Sequence, residues 1–364
     1  MQLRARADVE RRPASGWSWD VEGLVGTTRG ELDRDSVAKF ATALAAELWQ
    51  RQSQPLPTVL VGSDGRWVTA DLVSVVCHAL QLAGCLAVEV GKVTAPCLAV
   101  AQVHEQASGA MWIGNATGEP HALALSAFLE QGCPASSPGA LDGLRRHYES
   151  ASARPRRTGG GLQRLQPNAL YLANLAGAFH GLRPLIIALD THCEPLLRYW
   201  HKLNVQTACR IVQLEAGQGP ASSISYREAR LQAVSRQVIV EGAHFGAWID
   251  GRGECIRLVD ERGELVASGR VSLLLAGHLE RHSSSNAILP ESARADHETC
   301  STRQQTFERM TANQAEFGND GDRYWFAGPP AVSDALAMLC LLLKLLSESD
   351  RTLSEVLDSA AAAE

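Results

Sequence analysis

Residues 58–90 leave the backbone little choice. Val59, Leu60 and Val61 form a short apolar run that ends in the polar turn Gly62-Ser63-Asp64-Gly65-Arg66. A long amphipathic run follows over residues 70–83, and Gly84 stands where a helix needs a residue that accepts the left-handed conformation. Residues 86–90 are apolar again. Strand, helix and strand joined this closely predict a βαβ unit in a mainly parallel sheet covered on both faces. Residues 92–96 turn the chain into a further helix over 97–104, and Ala110-Met111-Trp112-Ile113 reads as another buried strand. The loop after it, which contains Gly114, Asn115 and Thr117, falls at the carboxyl end of that strand, where open α/β sheets place their sites.

Composition narrows the remainder. At 364 residues the chain is too long for one average core, and about two or three domains are expected. A net charge of -6 gives no electrostatic footprint for nucleic acid or an anionic membrane. The nine cysteines form no CxxC pair and show no zinc-site spacing, so they read as reduced core thiols of a cytoplasmic protein. Residues 1–13 are rich in arginine and lack the apolar stretch of a signal peptide. The longest apolar run, 335–346, is broken by Lys344 and is too short to span a bilayer, which predicts a buried helix.

In chain order, the glycine-rich turn 23–30 leads into a helix over 33–50, with Val37, Phe40, Ala41, Leu44 and Leu48 at helical spacing and Asp35 or Ser36 as its cap. Such a turn either cradles phosphate, with Arg29 adding charge, or simply reverses the chain. Residues 151–168 carry Arg154, Arg156, Arg157 and three consecutive glycines and read as a solvated linker. Beyond it come a helix over 169–181 and a buried strand over 184–190, whose polar loop holds His192, Cys193 and Glu194. Residues 243–264 read as two strands flanking a glycine-rich acidic loop, with a hairpin turn at 260–263. A helix over 271–278, a polar serine-rich loop over 280–305 and a terminal helix over 332–347 complete the pattern.

Taken together, these segments resemble the α-D-phosphohexomutases, the phosphoglucomutase and phosphomannomutase family. Val61-Gly62-Ser63-Asp64-Gly65-Arg66 is similar to the family's strand and G-R-D-x-R turn. Ala83-Gly84-Cys85 resembles its A-G step, and Gly91-Lys92-Val93-Thr94-Ala95-Pro96 its G-x-x-x-T-P motif. Residues 109–120 lie where the family has G-x-M-I-T-A-S-H-N-P, and Gly109 and Met111 match. The resemblance covers residues 22–357 and implies an α/β fold class: three consecutive α/β/α domains with mixed, mainly parallel sheets. Domain I is expected over 20–150, a linker over 151–168, domain II over 169–260 and domain III over 261–364, with the family's fourth domain absent.

The same resemblance marks the candidate site. Asn115 stands where the family has its phosphorylated serine, and an amide cannot carry a phosphoryl group. Thr117, two positions further on, is the alternative nucleophile, while Ser108 lies before the strand. In the family's metal loop Asp250 keeps the first ligand place, Arg252 replaces the second, Glu254 stands at the third and Cys255 replaces an arginine. Mg²⁺ takes oxygen ligands in octahedral order, and a guanidinium beside it would oppose it. An ion pair of Arg252 with Glu254 or Asp250 is therefore expected in its place. No cofactor is expected, Mg²⁺ entering only if the family's site were retained. Arg29, Arg66 and Glu316 are the candidate substrate contacts.

The expectation that follows is a protein of carbohydrate-metabolism ancestry that is catalytically inactive and acts as a sugar-phosphate-binding or regulatory module. Two readings stay open beside it: an active phosphosugar mutase, an intramolecular phosphotransferase with a rearranged site, and a structural assembly protein. A sugar phosphate and a second copy of the chain are the expected partners; nucleic acid and membrane are not.

Overall fold

Val59, Val61, Met111 and Ile113 point into one apolar cluster, and Leu60, Ala110 and Trp112 into another. A two-residue period divided between two cores is what strands covered on both faces require. The computed structural model describes residues 16–28, 33–51, 55–115, 119, 121–150, 156, 158–214, 225–282, 287–288 and 301–361.

The first sheet contains β1 (Ser18–Asp20), β2 (Gly23–Thr27), β3 (Thr58–Ser63), β4 (Leu86–Lys92), β5 (Gly109–Gly114), β6 (Ala122–Phe128) and β7 (Leu162–Arg164) in the order β1-β2-β6-β5-β3-β4-β7. β5, β3, β4 and β7 run parallel, and β6, β2 and β1 add antiparallel at one side. One face packs on α1 (Arg34–Arg51), α2 (Trp67–Leu82) and α4 (Ala140–Ser150), the other on α3 (Ala95–His104). The predicted βαβ unit is therefore present. Gly84 ends its helix at φ +79°, and Thr94 caps α3 by accepting the Cys97 N–H, with Pro96 in the first turn.

Between the first and second sheets comes α5 (Asn168–Ala176). The second sheet has the order β11-β10-β8-β9, from β8 (Ile186–Thr191), β9 (Arg210–Gln213), β10 (Phe245–Ile249) and β11 (Ile256–Val259). β9, β8 and β10 are parallel and β11 is antiparallel. Its helices are α6 (Glu194–Leu203) and α7 (Tyr226–Glu241). A capping box of Ser225 and Glu228 starts α7, and Gly242 at φ +57° ends it. After α8 (Ser268–His282), a small mixed sheet is formed by β12 (Ala287–Ile288), β13 (Phe317–Asn319), β14 (Tyr324–Phe326) and β15 (Val332–Ser333). α9 (Arg303–Ala312), α10 (Ala335–Ser347) and α11 (Leu353–Ala361) accompany it.

One apolar cluster runs from Leu98 and Trp112 through Tyr199 and Phe245 to Leu339 and Leu343, joining the back of the first sheet to the other two. The apolar run of α10 is thus central core, with Leu336, Leu339, Leu342 and Leu343 wholly inaccessible. Among the described residues no helix is long and apolar enough to cross a membrane.

Three local expectations are corrected. Asp33, not Asp35 or Ser36, caps α1: its carboxylate accepts both of their backbone N–H groups. Within the segment read as linker, β7 pairs with β4, and the Arg156 guanidinium stacks 3.7 Å from the centre of the Trp49 ring. Arg154 and Arg157 lie outside the described residues. The 280–305 segment is not all loop: α8 runs to His282, and Thr302 and Gln305 form a capping box that starts α9. Reciprocal capping satisfies the first amides of a helix without any apolar periodicity ahead of it.

Candidate functional site

Four strands of the first two sheets carry polar residues just past their carboxyl ends. β3 delivers Asp64, β5 delivers Asn115, β8 delivers His192 and β10 delivers Asp250, each immediately past its carboxyl end. Asp64 is the organiser. Its buried carboxylate accepts the Arg66 backbone N–H (3.0 Å), Arg66 Nε (2.6 Å), Thr69 Oγ1 (2.9 Å) and the Asn115 backbone N–H (2.9 Å). Gly65 makes the turn at φ +84°, with the Lys92 side chain lying over it. Arg66, half-buried at the head of α2, also donates to the Ala122 carbonyl (3.0 Å).

Asn115 is 2 % exposed, and its side-chain amide donates to the Glu119 carbonyl (2.5 Å), stapling the loop across its described ends. Its own carbonyl meets the backbone of Gly251, where a Cβ would lie 1.9 Å from that oxygen. The loops after β5 and β10 are therefore in direct backbone contact, and only glycine fits at the crossing. Thr117 and Arg29 lie outside the described residues. Ser108 sits at the opposite end of β5, its hydroxyl accepting the Thr58 N–H (3.2 Å).

The loop after β10 is closed on itself. Asp250 accepts the backbone N–H groups of Glu254 (2.8 Å) and Cys255 (3.1 Å) through one oxygen. Burial, with the neighbouring Glu254 charge, raises its carboxyl to about 6 against the opposing pull of Arg252 and those two amides. Arg252, its side chain 4 % exposed, donates not to the loop carboxylates but to Glu22 and to Ser126 Oγ (2.9 Å). Glu254 is held by Arg303 of α9, and Glu22 also receives Arg323. The expected Arg252 pair with Glu254 or Asp250 is thus corrected. Opposite charge reached Arg252 from the hairpin between β1 and β2, and one oxygen of Glu254 receives Arg303, the other being buried without a hydrogen-bond partner among the described residues.

These residues do not fit Mg²⁺. One oxygen of Asp250 is taken by its own loop, one oxygen of Glu254 by Arg303, and a guanidinium occupies the middle position of the motif. Among the described residues no group of three His, Cys, Asp or Glu side chains is arranged to hold a metal. A hard cation needs several free oxygens, and here the positive charge is already supplied.

Glu22, Arg303 and Arg323 escaped the sequence reading. Arg323 sits in the short string Asp320-Gly321-Asp322-Arg323, Arg303 in the stretch read as loop, and Glu22 gives no local signal because its partners lie 230 and 301 residues away. Burial alone would raise the Glu22 carboxyl, but Arg323, Arg252 and Arg303 together outweigh it and hold it at about 2. A carboxyl lower in the folded state than in the unfolded chain adds stability above its unfolded value of 4.5, and loses it as pH falls towards about 2. The stability gap between the wild type and Glu22→Gln is therefore expected to be constant above about pH 5 and to close in acid. Denaturation of both proteins across that range measures it, and a gap independent of pH refutes the assignment.

On the second sheet, Arg230 grips Asp190 with two bonds (2.8 and 2.6 Å), both residues buried, and His192 Nε2 lies 2.9 Å from the Tyr226 hydroxyl. Burial first, then the Arg230 and Arg66 charges, lower the His192 imidazole against the pull of Asp190. Glu316, the remaining predicted contact, is exposed just before β13 in the third sheet, and its backbone carbonyl accepts the Ala327 N–H (2.9 Å). The structure thus brings Arg66, Asn115 and the Asp250 loop together around Asp64, with Glu316 on a separate sheet.

Residues 19–153 match the family model for phosphoglucomutase/phosphomannomutase, alpha/beta/alpha domain I. No curated protein matches the sequence. Among solved structures, a phosphoglucomutase/phosphomannomutase family protein from Burkholderia thailandensis superposes with a TM-score of 0.76 at 17 % identity, covering 93 % of this chain and 78 % of its own. A protein described as a phosphomannomutase from Thermus thermophilus gives 0.76 at 16 %, covering 95 % and 84 %. The parafusin phosphoglucomutase from Paramecium gives 0.68 at 11 %, covering 94 % and 73 %. The family model thus covers the first unit, and the solved structures share the fold along almost the whole chain.

Proposed function

We propose that this protein binds a sugar phosphate in the cleft between the first and second sheets and does not transfer its phosphoryl group. The observation that carries this reading is Asn115: at the end of β5 the chain presents a buried amide committed to the Glu119 carbonyl. Covalent phosphoryl transfer needs a nucleophile there and a cation to take up transition-state charge. Binding needs neither. Arg66 at the head of α2 is half-buried and pre-set by Asp64, and Lys92 reaches the same rim. A rigid guanidinium at a helix start suits a phosphate ester.

Calorimetry with glucose 1-phosphate and mannose 1-phosphate, alongside a mutase assay on the same preparation, tests both halves. Binding in EDTA without turnover is expected. Arg66→Ala should weaken it about tenfold or more, the loss of one charge-assisted contact. Absence of binding refutes the first half; turnover, with a phosphorylated residue mapped to the 115–120 loop, refutes the second.

A further inference from the structure

The ion pairs around Arg252 join all three sheets. Glu22 belongs to the β1–β2 turn, Arg252 and Glu254 to the loop between β10 and β11, Arg303 to α9, and Arg323 to the approach to β14. Glu22 accepts from Arg252 and Arg323, Arg303 donates to Glu254, and Arg252 also reaches Ser126 on β6. The backbone of the same loop is held from both sides. Ala95 N–H donates to the Arg252 carbonyl and Ala335 N–H to the Gly253 carbonyl (both 3.0 Å), and Ser333 Oγ donates to the Glu254 carbonyl (3.0 Å). The side chains of Arg252, Glu254 and Arg303 are 4, 5 and 1 % exposed.

Charges this deeply buried persist only when paired, and removing one partner leaves another uncompensated. A divalent ion entering the loop would place a second positive charge beside Arg252, whose buried guanidinium is already held by Glu22 and Ser126. The cation that this loop needs is already part of the chain. We propose that Arg252 is the loop's resident cation and that Glu22, Arg252, Glu254, Arg303 and Arg323 form a metal-free latch holding the three sheets in one arrangement. Such a latch replaces a site that can be filled and emptied with a covalently tethered charge. Its closure is therefore independent of metal supply and of any ligand in the cleft.

The test uses the full chain and no sugar phosphate, so its outcome is separate from that of the binding reading. The wild type should unfold calorimetrically in one transition, with midpoints in EDTA and in millimolar Mg²⁺ agreeing within about 1 °C, because an ion bound only by the native state would raise the midpoint. Equilibrium dialysis should find no stoichiometric Mg²⁺. Arg252→Met, which keeps most of the stem volume, should split or broaden the transition and speed amide exchange in the β1–β2 hairpin and α9 together. Arg252→Lys keeps the charge without the fork, so it covers the case in which the Met variant does not fold; it should melt in one transition at a lower midpoint. A Mg²⁺-dependent midpoint, stoichiometric Mg²⁺, or a lysine or methionine variant that melts like the wild type overturns the proposal.

Discussion

Asn115→Ser, which returns a hydroxyl to the end of β5, is expected to give no phosphosugar mutase turnover. The substitution removes the amide that staples the loop to the Glu119 carbonyl and supplies only one of the two things phosphoryl transfer requires. The reaction has little covalent chemistry for a protein to perform. It runs on placement of the nucleophile and on positive charge fixed where the transferring oxygens pass. The new serine would lie beside Gly251, whose backbone abuts residue 115, and the cation of that loop, Arg252, has its terminal nitrogens committed to Glu22 and Ser126. A guanidinium tied down in this way cannot follow a phosphoryl group. A coupled assay for conversion of glucose 1-phosphate to glucose 6-phosphate, with Mg²⁺ present, is the measurement. Restoration of turnover by this single change would show that the Arg252 loop is not an obstacle.

Asp190→Ala is expected to cost about 3–5 kcal/mol of folding stability, the range for breaking a buried ion pair from one side. Asp190 lies on β8 and Arg230 on α7, and the two bonds between them are aligned in the forked geometry that a guanidinium offers a carboxylate. Their side chains are 2 and 8 % exposed, so solvent cannot re-satisfy the arginine once the carboxylate is gone. Asp190→Asn, which keeps one acceptor and loses the charge, should cost less. The double change Asp190→Leu with Arg230→Met should recover part of the loss, because it removes the stranded charge as well. Chemical denaturation of the wild type and these three variants measures the differences. A loss below about 1 kcal/mol for Asp190→Ala would mean that the pair is not holding α7 against the sheet.

The parts of the fold that were legible share one property: their cause is local. Val59 to Val61 alternate between two cores, Gly84 ends a helix, residues 92–96 lead into the next, and the loop after β5 arrives at the carboxyl end of its sheet. Each follows from residues within a few positions of one another. The same holds for the position of Asn115 just past the end of β5. Where local signals competed, the reading went astray by small margins, as with Asp33 over Asp35 at the start of α1, or Thr302 opening a helix inside a polar stretch.

Charge pairing was different in kind. That a guanidinium at position 252 displaces a metal could be argued from the loop alone, but not which carboxylate would receive it. Asp250 and Glu254 were the near candidates; Glu22, far away in the chain, took the place, while Glu254 went to Arg303. A buried ion pair is stable only when geometry, desolvation and the remaining hydrogen bonds are all satisfied together, and those conditions are set by packing among three sheets. The sequence by itself therefore determined the α/β elements and the placing of Asn115 at the end of its strand, since each depends on short-range periodicity and residue chemistry. Only the tertiary structure decided which charges meet, because burial turns a weak long-range attraction into an obligatory contact, and burial exists only once the sheets have packed.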